Sequence, residues 1–236
     1  MMQENILFPY LEDGQIAPQI SDWQVRLRES AAAVLSVLSD AVEACSVRSF
    51  EKDLTDSENA FAQILHDFRD DVVRISERIP LPRGFFVGDA ERIPAFAQVC
   101  RLLSLSEVHA SELRTLSMRV SLLAETLNEQ KRTQNHATLL CCEIGAAAKN
   151  NGDTATQRTV AALAKELDEH AEHTARVQVR FLKIKEKITH FCVRILPDFC
   201  NRMVTEADME HEGASCNPAS AARLCGELRA AIEELL

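Results

Sequence analysis

Apolar residues recur at alternating spacings of three and four along much of this chain, which is the pattern of helices that bury one narrow face. The clearest repeat lies within residues 153–196 and runs for five heptads. Its positions are Val160, Leu163, Leu167, His170, Thr174, Val177, Phe181, Ile184, Ile188, Phe191 and Ile195. A repeat of this length is typical of coiled-coil-like packing. We therefore expect the bundle or dimer seam at Leu163, Leu167, Val177, Phe181, Ile184, Ile188, Phe191 and Ile195.

Two earlier segments carry similar repeats. The first has apolar positions at Ile20, Trp23, Leu27, Val34, Leu38, Ala41 and Cys45, and then at Leu54, Phe61, Ile64, Phe68, Val72, Ile75 and Ile79. The second is looser and passes through Phe96, Val99, Leu103, Ala110, Leu113, Val120, Leu127, Cys141 and Ile144. Its middle, residues 128–136, is nine polar residues in a row, so we expect that stretch to be poorly covered.

Glycine and proline divide the chain in the same way, because residues 19–79, 95–144 and 153–196 contain neither. Turn-forming residues cluster at 80–88, and a tight reversal is predicted at Asn150–Asp153, with Gly152 in a left-handed cap and Asp153 as the next N-cap. The pattern predicts an all-α antiparallel bundle of three long helices, at about 19–79, 92–149 and 153–212. An N-terminal segment, 1–18, precedes the bundle, and a linker with a short helix, 213–236, follows it.

Three local signals refine these boundaries. Thr55–Glu58 is a capping-box pattern, so we expect the first helix to bend or break near residues 49–55. Pro197 should kink or end the third helix, because proline lacks the backbone N–H that a helix interior uses. Asn217 followed by Pro218 predicts the N-cap and first turn of the last helix.

The apolar run Ile6–Leu11 near the start of the chain has two readings. It could insert shallowly into a bilayer, but Pro9 and the absence of Lys or Arg before Arg26 disfavour an amphipathic membrane helix. Packing against the bundle is the favoured role.

Composition narrows the classes of function. The chain has 26 Lys and Arg against 36 Asp and Glu, a net charge of −10, which argues against non-specific nucleic-acid binding. No apolar run reaches the length of about 18 residues needed to suggest a transmembrane helix. The first residues lack the basic region of a secretory signal. These features predict a cytoplasmic protein, either free or peripheral to a membrane.

The eight cysteines form no C-x-x-C pair, and most lie on apolar helix faces, where free cysteine behaves as a small hydrophobic residue. We expect reduced thiols. A zinc site at Cys192, Cys200, His190 and His211 is an alternative, although its spacings match no standard ligand pattern. Cys141 and Cys142 could form a redox pair, but helix packing is the favoured reading.

Residues that could carry catalysis are few. Glu166, Glu169, His170 and His173 share one helix face, where carboxylates and imidazoles could hold a metal ion. The bundle di-iron pattern requires Glu-x-x-His pairs, however, and the chain contains none. His170 falls on the apolar seam and is better explained as a hydrogen-bonded core or registry residue. There is no G-x-S-x-G motif and no glycine-rich phosphate loop, so we expect no enzyme activity and no cofactor.

The strongest functional signal is a local reversal of charge. Residues 174–196 contain Arg176, Arg180, Lys183, Lys185, Lys187 and Arg194 against Glu186 alone, a net charge of +5, so the other residues carry −15. We define the basic stripe as Arg176, Arg180, Lys183, Lys187, His190 and Arg194, which follow a heptad spacing beside the seam. One reading pairs these residues with acids of a neighbouring helix. The other makes them, with Lys185, a surface for anionic lipid headgroups.

The long segments, the short connection at residues 150–153 and the proline near the end of the third helix resemble a BAR domain, most closely the sorting-nexin and arfaptin-like branches. The third-helix runs Leu167–Glu172, Phe181–Ile184 and Pro197–Phe199 are similar in texture to helices of that family. BAR domains are crescent-shaped dimers that sense or impose membrane curvature. The resemblance, which covers residues 19–212, therefore implies a homodimer that binds membranes.

Two classes of function lead at this point. The first is a non-enzymatic, membrane-binding module that senses or remodels curvature in membrane trafficking. The second is a cytosolic helical scaffold whose long faces bind partner helices without binding membrane. A pore-forming helical toxin is disfavoured because the chain lacks a hydrophobic hairpin, and a di-metal enzyme is more distant still.

Overall fold

A computed structural model describes residues 33–80, 88–207 and 215–236 of the chain. Helices account for 92% of these residues, and no strand occurs among them. The all-α class predicted from the apolar repeat is therefore confirmed. The predictions for Ile6–Leu11, for the first helix before residue 33 and for His211 lie outside the described residues.

The helices follow the three apolar segments. The first segment forms α1, residues 33–44, and α2, Arg48–Ser76; the second forms α3, Asp89–Asn150. The third forms α4, Thr154–His190, a π-helical turn at Phe191–Ile195, and α5, Leu196–Glu206. The last helix, α6, is Pro218–Leu235.

The first helix is interrupted at residues 45–47, earlier than the capping box suggests. Thr55–Glu58 lies inside α2 and starts no helix, so that expectation is wrong. The reason is tertiary: Gln130 Nε2 donates to the Ala44 carbonyl at 2.7 Å, and Gln134 Nε2 donates to the Cys45 carbonyl at 2.9 Å. Partners on α3 thus satisfy carbonyls that the end of α1 leaves without helical bonds.

The caps predicted at the two later helix starts are confirmed. Gly152 has a φ of +71°, in the left-handed region that favours glycine. Asp153 accepts hydrogen bonds from the Thr156 N–H at 3.0 Å and the Thr156 hydroxyl at 2.6 Å, which lower the pKa of its carboxyl. Asn217 accepts hydrogen bonds from the N–H groups of Ala219 and Ser220. Each side chain therefore satisfies donors that the first turn of its helix leaves unpaired.

Pro197 was predicted to kink or end the third helix, and it does not end it. The chain passes through the π-helical turn and continues as α5, with Pro197 in its first turn. A π-helical turn inserts one extra residue, so the face that points inward advances by one position. Phe191 is buried, Ile195 is only half-buried, and burial resumes at Leu196, Phe199 and Met203. The predicted seam position at Ile195 therefore passes to Leu196.

The chain forms two compact units, and each contains part of every long segment. The described part of unit 1 consists of residues 33–53 and Leu123–Arg180. Its core contains Val34, Leu38, Val42, Cys45, Ala137, Cys141, Ile144, Ala147, Val160, Leu163 and Leu167. Apolar positions from all three repeats therefore come together in this unit.

The polar run at residues 128–136 is mostly exposed or half-exposed, as expected from the sequence, and Gln134 is the exception. Gln134 is 1% exposed, and its Nε2 donates to the Cys45 carbonyl and, at 2.7 Å, to the Thr174 hydroxyl. Thr174 in turn donates to the His170 carbonyl at 2.8 Å. These bonds satisfy the Nε2 group of Gln134, whereas its Oε1 is buried without a hydrogen-bond partner among the described residues. The burial of this amide is therefore only partly compensated.

Unit 2 consists of Leu54–Leu122 and Phe181–Leu236. Its largest fully buried side chains include Phe68, Phe181 and Phe191. The rings of Phe68 and Phe191 meet edge to face, 6.0 Å apart, and the His109 ring stacks on Phe68 at 4.8 Å. Both ring nitrogens of His109 lie 3.1 Å from a carboxylate oxygen, of Asp71 and of Glu112. This histidine thus links α2 to α3 beside an aromatic core.

All eight cysteines are free thiols. Burial raises the pKa of Cys45, Cys141 and Cys216 to about 11 and that of Cys225 to about 12. Since the thiolate is the reactive form, these four buried thiols are poor nucleophiles at neutral pH.

We therefore expect a thiol reagent to alkylate exposed Cys142 well before the four buried cysteines, although Cys141 is its neighbour in sequence. The order follows from access and from the small thiolate fraction of the buried thiols. Peptide fragmentation spectra recorded after brief iodoacetamide treatment of native protein will measure it. Full labelling of all eight cysteines after denaturation is the control, and native labelling of Cys225 as fast as that of Cys142 would contradict the burial.

Candidate functional site

The basic residues predicted as a lipid-binding set all lie exposed on α4 and the π-helical turn, and they belong to different units. Arg176 and Arg180 belong to unit 1. Arg176 pairs with Glu172 of its own helix at 3.8 Å, and both side chains are more than two-thirds exposed. Such a pair is screened by solvent and adds little to stability.

Lys183, Lys185, Lys187 and Arg194 belong to unit 2, where they line one open groove with a volume of about 980 Å³. We call this groove, together with the apolar residues described next, the basic groove. Within the described part of the chain, Lys183, Lys185 and Arg194 form no ion pair or side-chain hydrogen bond. Acidic residues of a neighbouring helix therefore do not neutralise these three charges.

The basic groove also contains exposed apolar side chains that were not predicted from the sequence. Leu182 is 53% exposed and Val193 is 66% exposed, and both line the groove with Leu235 of α6. The signal was available in the sequence, because Leu182 and Val193 are large apolar residues that fall outside the heptad seam. Leu182 and Val193 therefore add exposed apolar area to the basic residues of the groove.

Lys187 differs from its neighbours because its ammonium group makes contacts within the protein. Its Nζ donates to the Leu235 carbonyl at 2.6 Å and lies 5.8 Å from the centre of the Phe61 ring. A cation at the last carbonyls of α6 complements the negative end of that helix. Lys187 therefore positions α6 and is less available to an external ligand than Lys183 or Lys185.

A second group of charges holds α6 against α5. Arg202 bonds Glu206 at 2.7 Å and Glu227 at 2.8 Å, and Arg223 bonds the same two carboxylates. Both guanidinium groups lower the pKa of Glu206 and of Glu227 through hydrogen bonds. The basic groove is thus bordered by a helix that side-chain pairs and an apolar face keep in place.

The face considered for a metal ion lies in unit 1. Glu166, Glu169, His170 and His173 line a cleft of about 410 Å³. His173 Nε2 is bonded to Glu51 at 2.6 Å, and His170 Nε2 lies 3.7 Å from Glu166. His170 is partly exposed, so it is not the buried seam residue that its heptad position suggested. Among the described residues, no three His, Cys, Asp or Glu side chains converge as a metal site.

Comparison with known proteins produced no matching family model, no matching curated protein and no matching solved structure. In the described ranges, none of the helices has an apolar stretch that could cross a bilayer. The basic groove is therefore interpreted from its own chemistry.

Proposed function

We propose that this chain is a non-enzymatic module that binds the surface of anionic membranes through the basic groove. The observation that carries the proposal is the combination of Lys183, Lys185 and Arg194, without ion pairs in the described part of the chain, with exposed Leu182 and Val193. Each Lys or Arg near an anionic bilayer contributes roughly 1 kcal/mol, and apolar side chains add to this by entering the interface.

As the resemblance to BAR domains implies, the proposed form is a homodimer. It would bind as a peripheral protein at the cytoplasmic surface of a membrane. One groove provides only a few basic contacts and would bind weakly. Two grooves on one dimer would bind together, because the second attachment becomes intramolecular after the first. The residues outside 174–196 carry a net charge of −15, which opposes this attraction. Binding therefore depends on local charge and on avidity.

We expect the triple substitution Lys183→Glu, Lys185→Glu and Arg194→Glu to weaken binding to phosphatidylcholine vesicles that contain phosphatidylserine by at least about 100-fold, since three contacts of roughly 1 kcal/mol are lost. Co-sedimentation at low salt measures the bound fraction. Lys187 stays unchanged because its bond to the Leu235 carbonyl is structural. Added salt should also reduce wild-type binding, because exposed charges are screened beyond a Debye length of about 8 Å at physiological ionic strength.

The matched control is Lys131→Glu, Lys149→Glu and Arg158→Glu, which makes the same change in net charge at exposed positions of unit 1. This control should retain most of the binding. A further variant, Leu182→Ser with Val193→Ser, should weaken binding without changing its salt dependence. The proposal fails if wild-type protein does not sediment with these vesicles at any diameter, or if the two charge-reversal triples behave alike.

A scaffold that binds partner helices remains the second candidate, and one observation favours it. Val108, Met118 and Leu122 are exposed large apolar residues on α3, and the basic groove does not include them. Vesicle binding that is absent together with specific capture of a second helix would favour this class.

A further inference from the structure

The exposed side of α3 in unit 2 carries a second heptad pattern, separate from the one that faces its core. Its members are uncharged, exposed and spaced by four and three residues in alternation. We call them the neutral stripe: Ser104, Val108, Ser111, Thr115, Met118 and Leu122. The stripe extends over about 27 Å at 1.5 Å per residue. Val108 is 52% exposed, Met118 is 67% exposed and Leu122 is 64% exposed.

The hydroxyl groups do not make this stripe strongly hydrophilic. Ser104 Oγ donates to the Cys100 carbonyl and Thr115 Oγ1 donates to the Ser111 carbonyl, each at 3.0 Å along their own helix. Two of the three hydroxyl donors in the stripe are therefore satisfied without water, which reduces the desolvation cost of covering it. Apolar residues with heptad spacing form coiled-coil seams, and Val108, Met118 and Leu122 supply the apolar half of this stripe.

We infer that the neutral stripe is the surface through which two copies of this chain associate, with the two α3 helices antiparallel about a two-fold axis level with Leu113. In this arrangement Val108 of one copy faces Met118 of the other, Ser104 faces Leu122 and Ser111 faces Thr115. All six positions then form layers in which a larger side chain meets a smaller or similar one, which fills space evenly. A parallel pair would instead place Met118 on Met118 and Ser104 on Ser104, giving layers of unequal size.

The flanking charges favour the same orientation. In a parallel coiled coil, the residue just before Val108 or Thr115 would lie opposite the partner's residue five positions later in the sequence. Glu107 would then meet Glu112 and Arg114 would meet Arg119, twice each in a symmetric dimer. The antiparallel pair has like-charge contacts only near its axis, one between the two Glu112 side chains and one between the two Arg114 side chains. Each of these charges has a partner in its own chain: Glu112 bonds His109 at 3.1 Å and Arg114 bonds Glu107 at 2.9 Å.

This inference rests on the homodimer of the proposed function and assigns the surface through which its two copies would associate. It can fail separately from membrane binding. The oligomeric state is measured without lipid, whereas vesicle binding depends on the basic groove. A dimer that binds no vesicles would remove the proposed function and leave this inference intact.

The test is a charge pair placed across one layer. We expect Val108→Lys alone, and Met118→Glu alone, to raise the dimer dissociation constant at least about 100-fold, because each dimer contains the altered layer twice and an unpaired charge becomes covered. The double variant V108K/M118E should recover dimerisation, since each new Lys faces a new Glu of the other copy. In a parallel dimer the double variant would place Lys on Lys and Glu on Glu, and no recovery would occur.

Sedimentation equilibrium over a micromolar concentration series measures these constants, with circular dichroism to establish that each variant is folded. Ile93→Glu is the matched control, because Ile93 is 55% exposed on the same helix but outside the stripe, and it should leave the dissociation constant unchanged. A monomeric wild type overturns the inference, as do single variants that dimerise normally.

Discussion

Replacing Phe191 with alanine is expected to lower the free energy of unfolding by about 3–5 kcal/mol. Phe191 is fully buried at the start of the π-helical turn, and its ring meets Phe68 edge to face at 6.0 Å. The substitution removes a large apolar side chain and leaves a cavity beside Phe68, which itself supports the His109 ring at 4.8 Å. Because a helix backbone relaxes little around such a cavity, most of the lost contact energy is not recovered.

Urea denaturation followed by circular dichroism measures this change. Val193→Ala is the matched control, because Val193 lies in the same π-helical turn but is 66% exposed. That substitution should change the stability by no more than about 0.5 kcal/mol. Equal effects of the two substitutions would contradict the inward direction that the structure gives to Phe191.

Replacing Gln134 with alanine is expected to lower the free energy of unfolding by about 1–3 kcal/mol, because the two bonds of its buried Nε2 are lost while its unpartnered Oε1 is removed as well. The buried amide donates to the Cys45 carbonyl and to the Thr174 hydroxyl. Without Gln134, the carbonyl at the interruption between α1 and α2 loses this donor in a region that excludes water. Leaving a buried acceptor unsatisfied costs more than a hydrogen bond contributes on average.

Gln130→Ala is the matched control. Gln130 lies one turn earlier on α3 and donates to the preceding carbonyl, that of Ala44, at 2.7 Å, but this bond is exposed. Water replaces it, so the loss should stay within about 0.5 kcal/mol. Thermal melts of the two variants compare them directly, and similar melting temperatures would argue against a buried role for Gln134.

The candidate site was predictable in part. The charge reversal in residues 174–196 located its basic residues, because local composition and helical spacing are visible without a structure. Its apolar members, Leu182 and Val193, were not predicted, because they fall outside the heptad seam. That Lys187 bonds the Leu235 carbonyl could not be predicted, since the two residues are 48 positions apart and meet only after folding.

Local physics explains what the sequence by itself determined. The all-α class, the reversal at Gly152, the cap at Asp153 and the start of α6 at Asn217 all depend on residues a few positions apart. Helical periodicity, a left-handed glycine and an N-cap side chain act within a single turn or two. Those features were therefore readable from the order of the residues.

Contacts between distant segments decided the rest. The break at residues 45–47 lies where Gln130 and Gln134 supply donors from α3, and the capping-box pattern at Thr55–Glu58 is overridden inside α2. The seam shifts from Ile195 to Leu196 because the π-helical turn adds one residue before Pro197. At the break and at the capping-box pattern, the local preference is worth about 1 kcal/mol or less, and burial or hydrogen bonding from another segment exceeds it. Only the tertiary structure brings those competing partners together.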